Sequence, residues 1–479
     1  MSKTVKFLLF LLLGCGASLG QIHVSNCDIQ AAINRCNGSC TISVPPGTCH
    51  LSAAVTWAGT GKKIDFECAG REQTVLICPP GIQCLNPDSN SRIAHCDLRG
   101  PGVVSEDAII NGPQNSHDIV IEDNVIEQSA DQGLNTGGGA ARWTIRNNLF
   151  QNNGGDGIYL ASGTSDSVVA DNIVINNGSN GIDCNGSENT FQGNVSNSNG
   201  LPGGPIDKDG ILISGIFQGS SANYNTLTGN ETNYNGGDGI VIRADMGTTA
   251  NYNTVSGNVS HDNSGVNNNG DGIGIDGSDL GTYIGNAIVG NTVYHNQRDG
   301  INVDGENATT VQDTVVSSNV AVGNGFMGII LGNPKLQDTL VVNNMVIGNE
   351  SGQITDLGST RAVIAGNKQN TTDSEYVIRN GMTIGGGVSQ DGTGMKHQSA
   401  STGSVGPGGS TNVTLTWLTP FADTNYDSQC SVLDPTPGDK ALRIHHIVSF
   451  TTVGVAVEVV NDDGVSSHEG TMSCLGIHQ

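Results

Sequence analysis

Apolar positions in this chain recur on two scales. Locally they alternate with polar ones over three to five residues, as in Asp156-Gly157-Ile158-Tyr159-Leu160, Asp238-Gly239-Ile240-Val241-Ile242 and Asp299-Gly300-Ile301-Asn302-Val303. Such alternation predicts short strands with one face buried. On the longer scale the Gly-Ile step or its equivalent returns at Gly133, Gly157, Gly181, Gly210, Gly239, Gly272, Gly300, Gly328 and Gly352, with gaps of 24 to 33 residues. Between returns lie two further short strands bounded by asparagine, as in Asn225–Asn230 and Glu231–Asn235. Three strands per period with Asn and Gly at the corners describe one rung of a solenoid, and a single rung cannot bury its inward residues alone. Asn and Gly tolerate the left-handed backbone of sharp bends. Asn side chains can also hydrogen-bond the equivalent group one rung away.

This repeat resembles the right-handed parallel β-helix of the pectin-lyase-like superfamily over roughly residues 105–370. The resemblance implies an all-β fold, a single-stranded parallel β-helix with three short strands per rung. It implies no one activity, because the architecture carries lyases, hydrolases, epimerases, adhesins and phage tailspikes.

The flanks differ in character. Lys3 and Lys6, the apolar run Phe7–Leu13 and Ser18-Leu19-Gly20 read as a signal peptide over residues 1–20. Leu12-Leu13-Gly14-Cys15 approximates a lipobox, so anchoring through Cys15 is the alternative to a secreted product. Residues 21–105 read as a cap with the first rungs, since Cys27–Cys36 has helical spacing followed by a Pro-Pro-Gly turn. Such a cap covers an otherwise open sheet edge. Eight cysteines (27, 36, 40, 49, 68, 78, 84 and 96) crowd this segment and imply up to four disulfides of unknown connectivity. Cys184 reads as a buried free thiol at the inward position that Leu160 holds one rung earlier.

The β-helix is expected over residues 106–370, followed by last rungs and a Gly/Ser/Thr-rich linker over 371–409. Residues 410–479 then alternate as a small antiparallel β-sandwich, with Cys430 and Cys474 expected to pair. Trp417, Phe421 and Tyr426 resemble the aromatic strand pair of lectin-like modules, which leaves glycan binding, capping and oligomerisation (monomer or trimer) open.

The net charge of −25 opposes nucleic-acid and anionic-lipid partners. No stretch after the signal is apolar enough for a transmembrane span. Aligning the rungs on Gly-Ile gives columns whose members stand about 4.8 Å apart. One outward column runs Ala161, Asn185, Ser214, Arg243, Asp276, Asp304, Gly332, so Arg243, Asp276 and Asp304 form a contiguous charged ladder and the candidate catalytic set. A second outward column runs Tyr159, Asp183, Leu212, Val241, Gly274, Asn302, Ile330. Asp183 and Asn302 from it, with Lys208, His261 and His295, are candidate substrate contacts. A third column precedes each glycine: Asp156, Asn180, Asp209, Asp238, Asp271, Asp299. The plain reading of that column is corner chemistry, because Asp fits the bend as Asn does. No motif demands a cofactor, but Asp209, Asp238, Asp271 and Asp299 make calcium the candidate cation.

Insertions Gly200–Lys208, His261–Gly270 and Gly277–Gly285 flank the strand that bears the charged ladder. They would wall a groove suited to a linear polysaccharide. Two reactions fit. In a hydrolase Asp276 and Asp304 would be the carboxylate pair. In a lyase or epimerase, the preferred class, a base removes the proton beside a uronate carboxylate stabilised by Arg243 or a cation. The Gly-His-Gly and Arg-x-Lys motifs of polygalacturonases, the Arg-x-Pro-x-x-Arg of pectate lyases and the Asp-Pro-His-Asp of alginate epimerases are absent, so no family's catalytic set carries over. A non-catalytic glycan-binding surface protein, or a tailspike-like solenoid, is the rival reading.

Overall fold

The computed structural model describes residues 20–81, 83–101, 108–200, 208–215, 220–265, 270–276, 280–305, 308–333, 335–369, 395–416, 426–433, 442–451, 454–461 and 468–478. The signal-peptide and lipobox readings lie outside them. The chain forms two compact units, Met1–Met382 and Thr383–Gln479.

The first unit is a parallel solenoid. A 14-stranded sheet runs from Gly20–His23 to Val363–Ala365, a second sheet of 12 strands from Gly47–His50 to Met345–Ile347, and a third of 12 strands from Val55–Thr56 to Gly352–Asp356. The chain visits the three in turn, so each strand pairs with its equivalent one rung away, for example Ile240↔Ile273↔Ile301. Inward residues of all three sheets form one continuous core, including Ile145, Phe150 and Ile158 in a single rung. Cys184 stands opposite Leu160 as expected and is a buried free thiol.

Polar ladders hold the corners. Asn258 Oδ1 accepts the backbone N–H and the Nδ2 of Asn230 at 2.8 and 2.9 Å, while Asn258 Nδ2 donates to Leu227 O at 3.0 Å. Repetition of this unit satisfies backbone groups that no strand reaches. The Gly-Ile glycines have a steric cause. A Cβ on Gly272 would stand 2.6 Å from Gly300 O and 2.7 Å from Asn296 Nδ2.

The N-terminal cap is as read. Helix Ile29–Arg35 buries Ile29, Ala32 and Ile33 over the first rung. The eight cysteines pair as Cys27–Cys49, Cys36–Cys40, Cys68–Cys96 and Cys78–Cys84.

Two expectations need correction. The three expected sheets run to the last rungs, and a fourth, three-stranded sheet (Thr282–Ile284, Thr310–Gln312, Leu336–Gln337) is added between the third and first sheets. The stretch Gly277–Gly285, read as an insertion, therefore contributes a strand. The fully buried Tyr283 anchors it, its hydroxyl donating to Ala244 O at 2.9 Å and accepting from Ala244 N at 2.7 Å. Secondly, Met395–Val405 lies within the linker reading yet is a strand of the second unit. It sits at a sheet edge, where one hydrogen-bonded partner suffices and a Ser-rich composition is tolerated.

The second unit contains two three-stranded antiparallel sheets, ordered Met395–Val405, His468–His478, Tyr426–Leu433 and Ser410–Thr416, Gly454–Asn461, Leu442–Thr451. Val405, Val413, Val455, Val457 and Val459 are buried in it. The register sets the backbone of Cys430 opposite that of Cys474. Trp417 and Phe421 lie outside the described residues.

Candidate functional site

Strand register places the charged column where the alternation put it. Ser214 pairs with Arg243, and the pairs Ile242↔Ile275 and Val303↔Ile275 bring Asp276 and Asp304 to the ends of the next two strands of the third sheet. Arg243 is partly buried. Burial works against its charge, yet Asp209, Asp276, Asp238 and Asp245 together hold the guanidinium above its ordinary pKa. Among the described residues, no carboxylate comes within ion-pairing distance of it.

The column preceding each glycine does structural work first. Asp238 Oδ1 accepts the N–H of Asp271 at 2.7 Å, Asp271 Oδ1 accepts that of Asp299 at 2.9 Å, and Asp299 Oδ1 accepts that of Met327 at 2.8 Å. Each carboxylate thus caps the next rung with one oxygen and keeps the second for other contacts. Among the described residues, no three or more His, Cys, Asp or Glu side chains converge in a way that would hold a metal ion.

The second oxygens meet a residue absent from the sequence reading. Arg298 Nη1 stands 3.6 Å from Asp271 Oδ2. Its Nε stands 3.2 Å from Asp299 Oδ2 without a hydrogen bond between them. Asn302 Nδ2 donates to Asp271 Oδ2 at 2.9 Å, and Asn302 Oδ1 is buried with no hydrogen-bond partner. Arg298 occupies the column two before the glycine, as Lys208 does three rungs earlier. Extending the column alignment by one position would have exposed it.

Burial sets the protonation of this cluster. It pushes Asp271 up to about 7 against the pull of Arg298. Burial, with the charges of Asp271 and Asp209, pushes Asp238 well above the usual carboxylate range. The same happens to Asp183 through burial and the charges of Asp156 and Asp209, opposed by Arg243 and Lys208. Asp183 and Asn302 face outward by register, but both are buried, at 7% and 1% exposure. The floor of this face is therefore deep rather than open.

The histidines belong elsewhere. His261 lies on the second sheet, stacked on Tyr294 at 4.5 Å. It also engages Asp262 Oδ2 at 2.7 Å and Asn233 Nδ2 at 3.1 Å. Burial lowers its pKa, but Asp262 and Glu231 outweigh that and raise it. His295 occupies the adjoining left-handed corner and packs edge-on against Tyr294. The pair thus forms an aromatic cluster on the face next to the charged column.

Comparison with known proteins bears on the fold. A family model described as a right-handed β-helix region matches residues 80–215. Two solved A-modules of Azotobacter vinelandii mannuronan C-5 epimerases are similar to this chain at 17% identity. They are AlgE4 (TM-score 0.56) and AlgE6 (TM-score 0.53), each match covering 74% of this chain and 97% of the module. A mutant tailspike protein of E. coli bacteriophage HK620 is similar at 13% identity and TM-score 0.51, covering 94% of this chain and 89% of that one. The fold is a right-handed parallel β-helix. No curated protein matches the sequence. Among the described residues, Lys208, Arg243 and Arg298 are cations set near the buried carboxylates of the third sheet.

Proposed function

We propose that this protein is an exported enzyme acting on a linear acidic polysaccharide, by proton abstraction in the manner of a lyase or epimerase. The observation that carries the reading is Arg243, a partly buried guanidinium facing four carboxylates and ion-paired with none of the described residues. A cation kept free in an acidic, sequestered place is available to an anionic substrate group, and burial strengthens that interaction. Arg243 would bind the uronate carboxylate and stabilise the charge that develops when the neighbouring C–H proton leaves. Asp276 and Asp304, one rung apart, would take and return that proton. The four disulfides support export. Likeness to epimerase modules whose names give mannuronan as substrate, and to a tailspike, supports a polysaccharide partner.

The test is a panel of uronate and neutral polymers incubated with the mature protein. It is read by ultraviolet absorbance for unsaturated ends, by reducing ends, and by solvent deuterium entering the polymer. Absorbance rising with the ends identifies a lyase, and deuterium without new ends an epimerase. Reducing ends alone would replace the reading with a hydrolase using Asp276 and Asp304. Binding without any chemistry would leave a glycan-binding protein and end the enzyme proposal.

A further inference from the structure

The outward column of the third sheet has one gap. Leu212, Val241, Asn302 and Ile330 fill their positions and are buried, at 4%, 0%, 1% and 6% exposure, but Gly274 between Val241 and Asn302 contributes no side chain. Its neighbour in sequence, Gly272, has a steric reason to be glycine; Gly274 has none. Its backbone is not left-handed, and a Cβ there would meet nothing nearer than Val241 Cγ2 at 3.5 Å and Asp238 Oδ2 at 3.6 Å, which is ordinary contact. Glycine in a strand costs backbone entropy and buries nothing, so the fold alone would favour alanine or larger. Glycine in such a place marks close approach by something else.

The gap lies where polar capacity is unused. Asn302, paired with Gly274 in register, keeps Oδ1 buried and without a hydrogen-bond partner. An unmet buried acceptor costs stability unless another group completes it. Asp276 stands two residues on from Gly274, just past the end of its strand, and Arg243 follows Ile242, the partner of Ile275 one rung back.

Resting on the reading of a polysaccharide enzyme, we infer that the gap at Gly274 is a specificity subsite. It admits a hydroxyl-bearing edge of one pyranose ring, and Asn302 Oδ1 accepts a hydrogen bond from that hydroxyl. Gly274 then acts as a positioning residue, holding the ring so that its reacting carbon lies over Asp276 and Arg243.

The experiment compares wild type with Gly274→Ala, Gly274→Leu and Gly274→Ser on whichever polymer the wild type turns over, with Tm measured for each. The expected result for Gly274→Ala is an unchanged or higher Tm with kcat/KM lowered about tenfold or more, the range one methyl commands in a shaped site. Gly274→Leu should lose turnover further, and Gly274→Ser should raise Tm by supplying the missing donor while still blocking the polymer. Full activity in Gly274→Leu would overturn the subsite and leave the enzyme reading intact. A Tm lowered by several degrees in Gly274→Ala would show a structural glycine and equally overturn it. If wild type neither binds nor alters any polymer, the functional reading fails and the subsite falls with it.

Discussion

Between residues 65 and 146 the first sheet carries a charged outer face in which positive and negative groups are matched. Arg92 binds Glu122 at 2.5 Å and Asp65 at 2.9 Å and also pairs with Glu67, while Arg146 reaches Glu122 at 2.6 Å. Burial alone would raise Glu122, but the hydrogen bonds from Arg92 and Arg146 hold it below its ordinary pKa. The third sheet between residues 208 and 304 also has outward arginines and carboxylates, arranged differently. There Arg243 pairs with no described carboxylate, Arg298 reaches its partners only at 3.2 and 3.6 Å, and Asp238 and Asp271 are pushed upward instead of down. The same scaffold can satisfy its surface charges in one place and leave them strained in another. Unmatched buried charge costs stability, so its concentration on one sheet points to a function for that sheet.

The sharpest way to break this comparison is to remove one arginine from each face. Arg243→Leu should lower turnover of the polymer by about 10²- to 10³-fold, the scale of losing one stabiliser of developing charge. Arg92→Leu should leave turnover near wild type and cost about 2 kcal/mol of unfolding free energy, because three carboxylates lose their shared donor. Steady-state kinetics and chemical denaturation on both variants decide it. If the effects exchange places, the division between a structural and a functional face is wrong.

A smaller effect separates the faces by pH. Asp271 is raised to about 7 and Asp238 is raised as well, so the folded protein holds protons there that the unfolded chain has released. Groups with raised pKa stabilise the fold relatively at low pH, and stability falls as pH rises from the ordinary carboxylate range through the folded value. The Tm should therefore decline between about pH 4 and 7, from the ordinary carboxylate value to the raised value near 7, and level off above it. Asp271→Asn, which keeps a neutral group of the same shape, should flatten the decline. A Tm that rises across this window, or a slope untouched by the substitution, would contradict the assignment.

The contrast was partly legible in the sequence. The Gly-Ile period and strand alternation were enough to put Arg243, Asp276 and Asp304 on adjacent rungs, because a parallel solenoid converts equal spacing into direct register. Alternation gave the direction of Asp183 and Asn302 but not their depth, since burial depends on what neighbouring rungs place beside them. Arg298 escaped because its column holds glycine at 237 and 270, so no repeated type marks it. The fourth sheet escaped for a related reason. Thr282–Ile284 is bounded by Gly281 and Gly285, and its one deep anchor, Tyr283, has no alternating apolar neighbour to announce a strand.

The least effect is expected at Arg142, and it tests whether matching by itself means anything. Its guanidinium makes two 2.8 Å hydrogen bonds to Asp118, geometry as good as any pair on the first sheet. Those hydrogen bonds, with help from His117, lower Asp118 to about 2. Both side chains are exposed, at 52% and 42%, so water competes for each hydrogen bond and salt screens the charges beyond about 10 Å. Arg142→Ala should lower the Tm only slightly at neutral pH, because solvent screens an exposed pair. That small difference from wild type should fade as pH falls towards 2, because a depressed carboxyl contributes stability above its unfolded pKa and loses it through its folded one. A clear loss at neutral pH and high salt would show that exposed pairs hold this solenoid together. The distinction between the two faces would then rest on chemistry alone and not on how deeply each charge is buried.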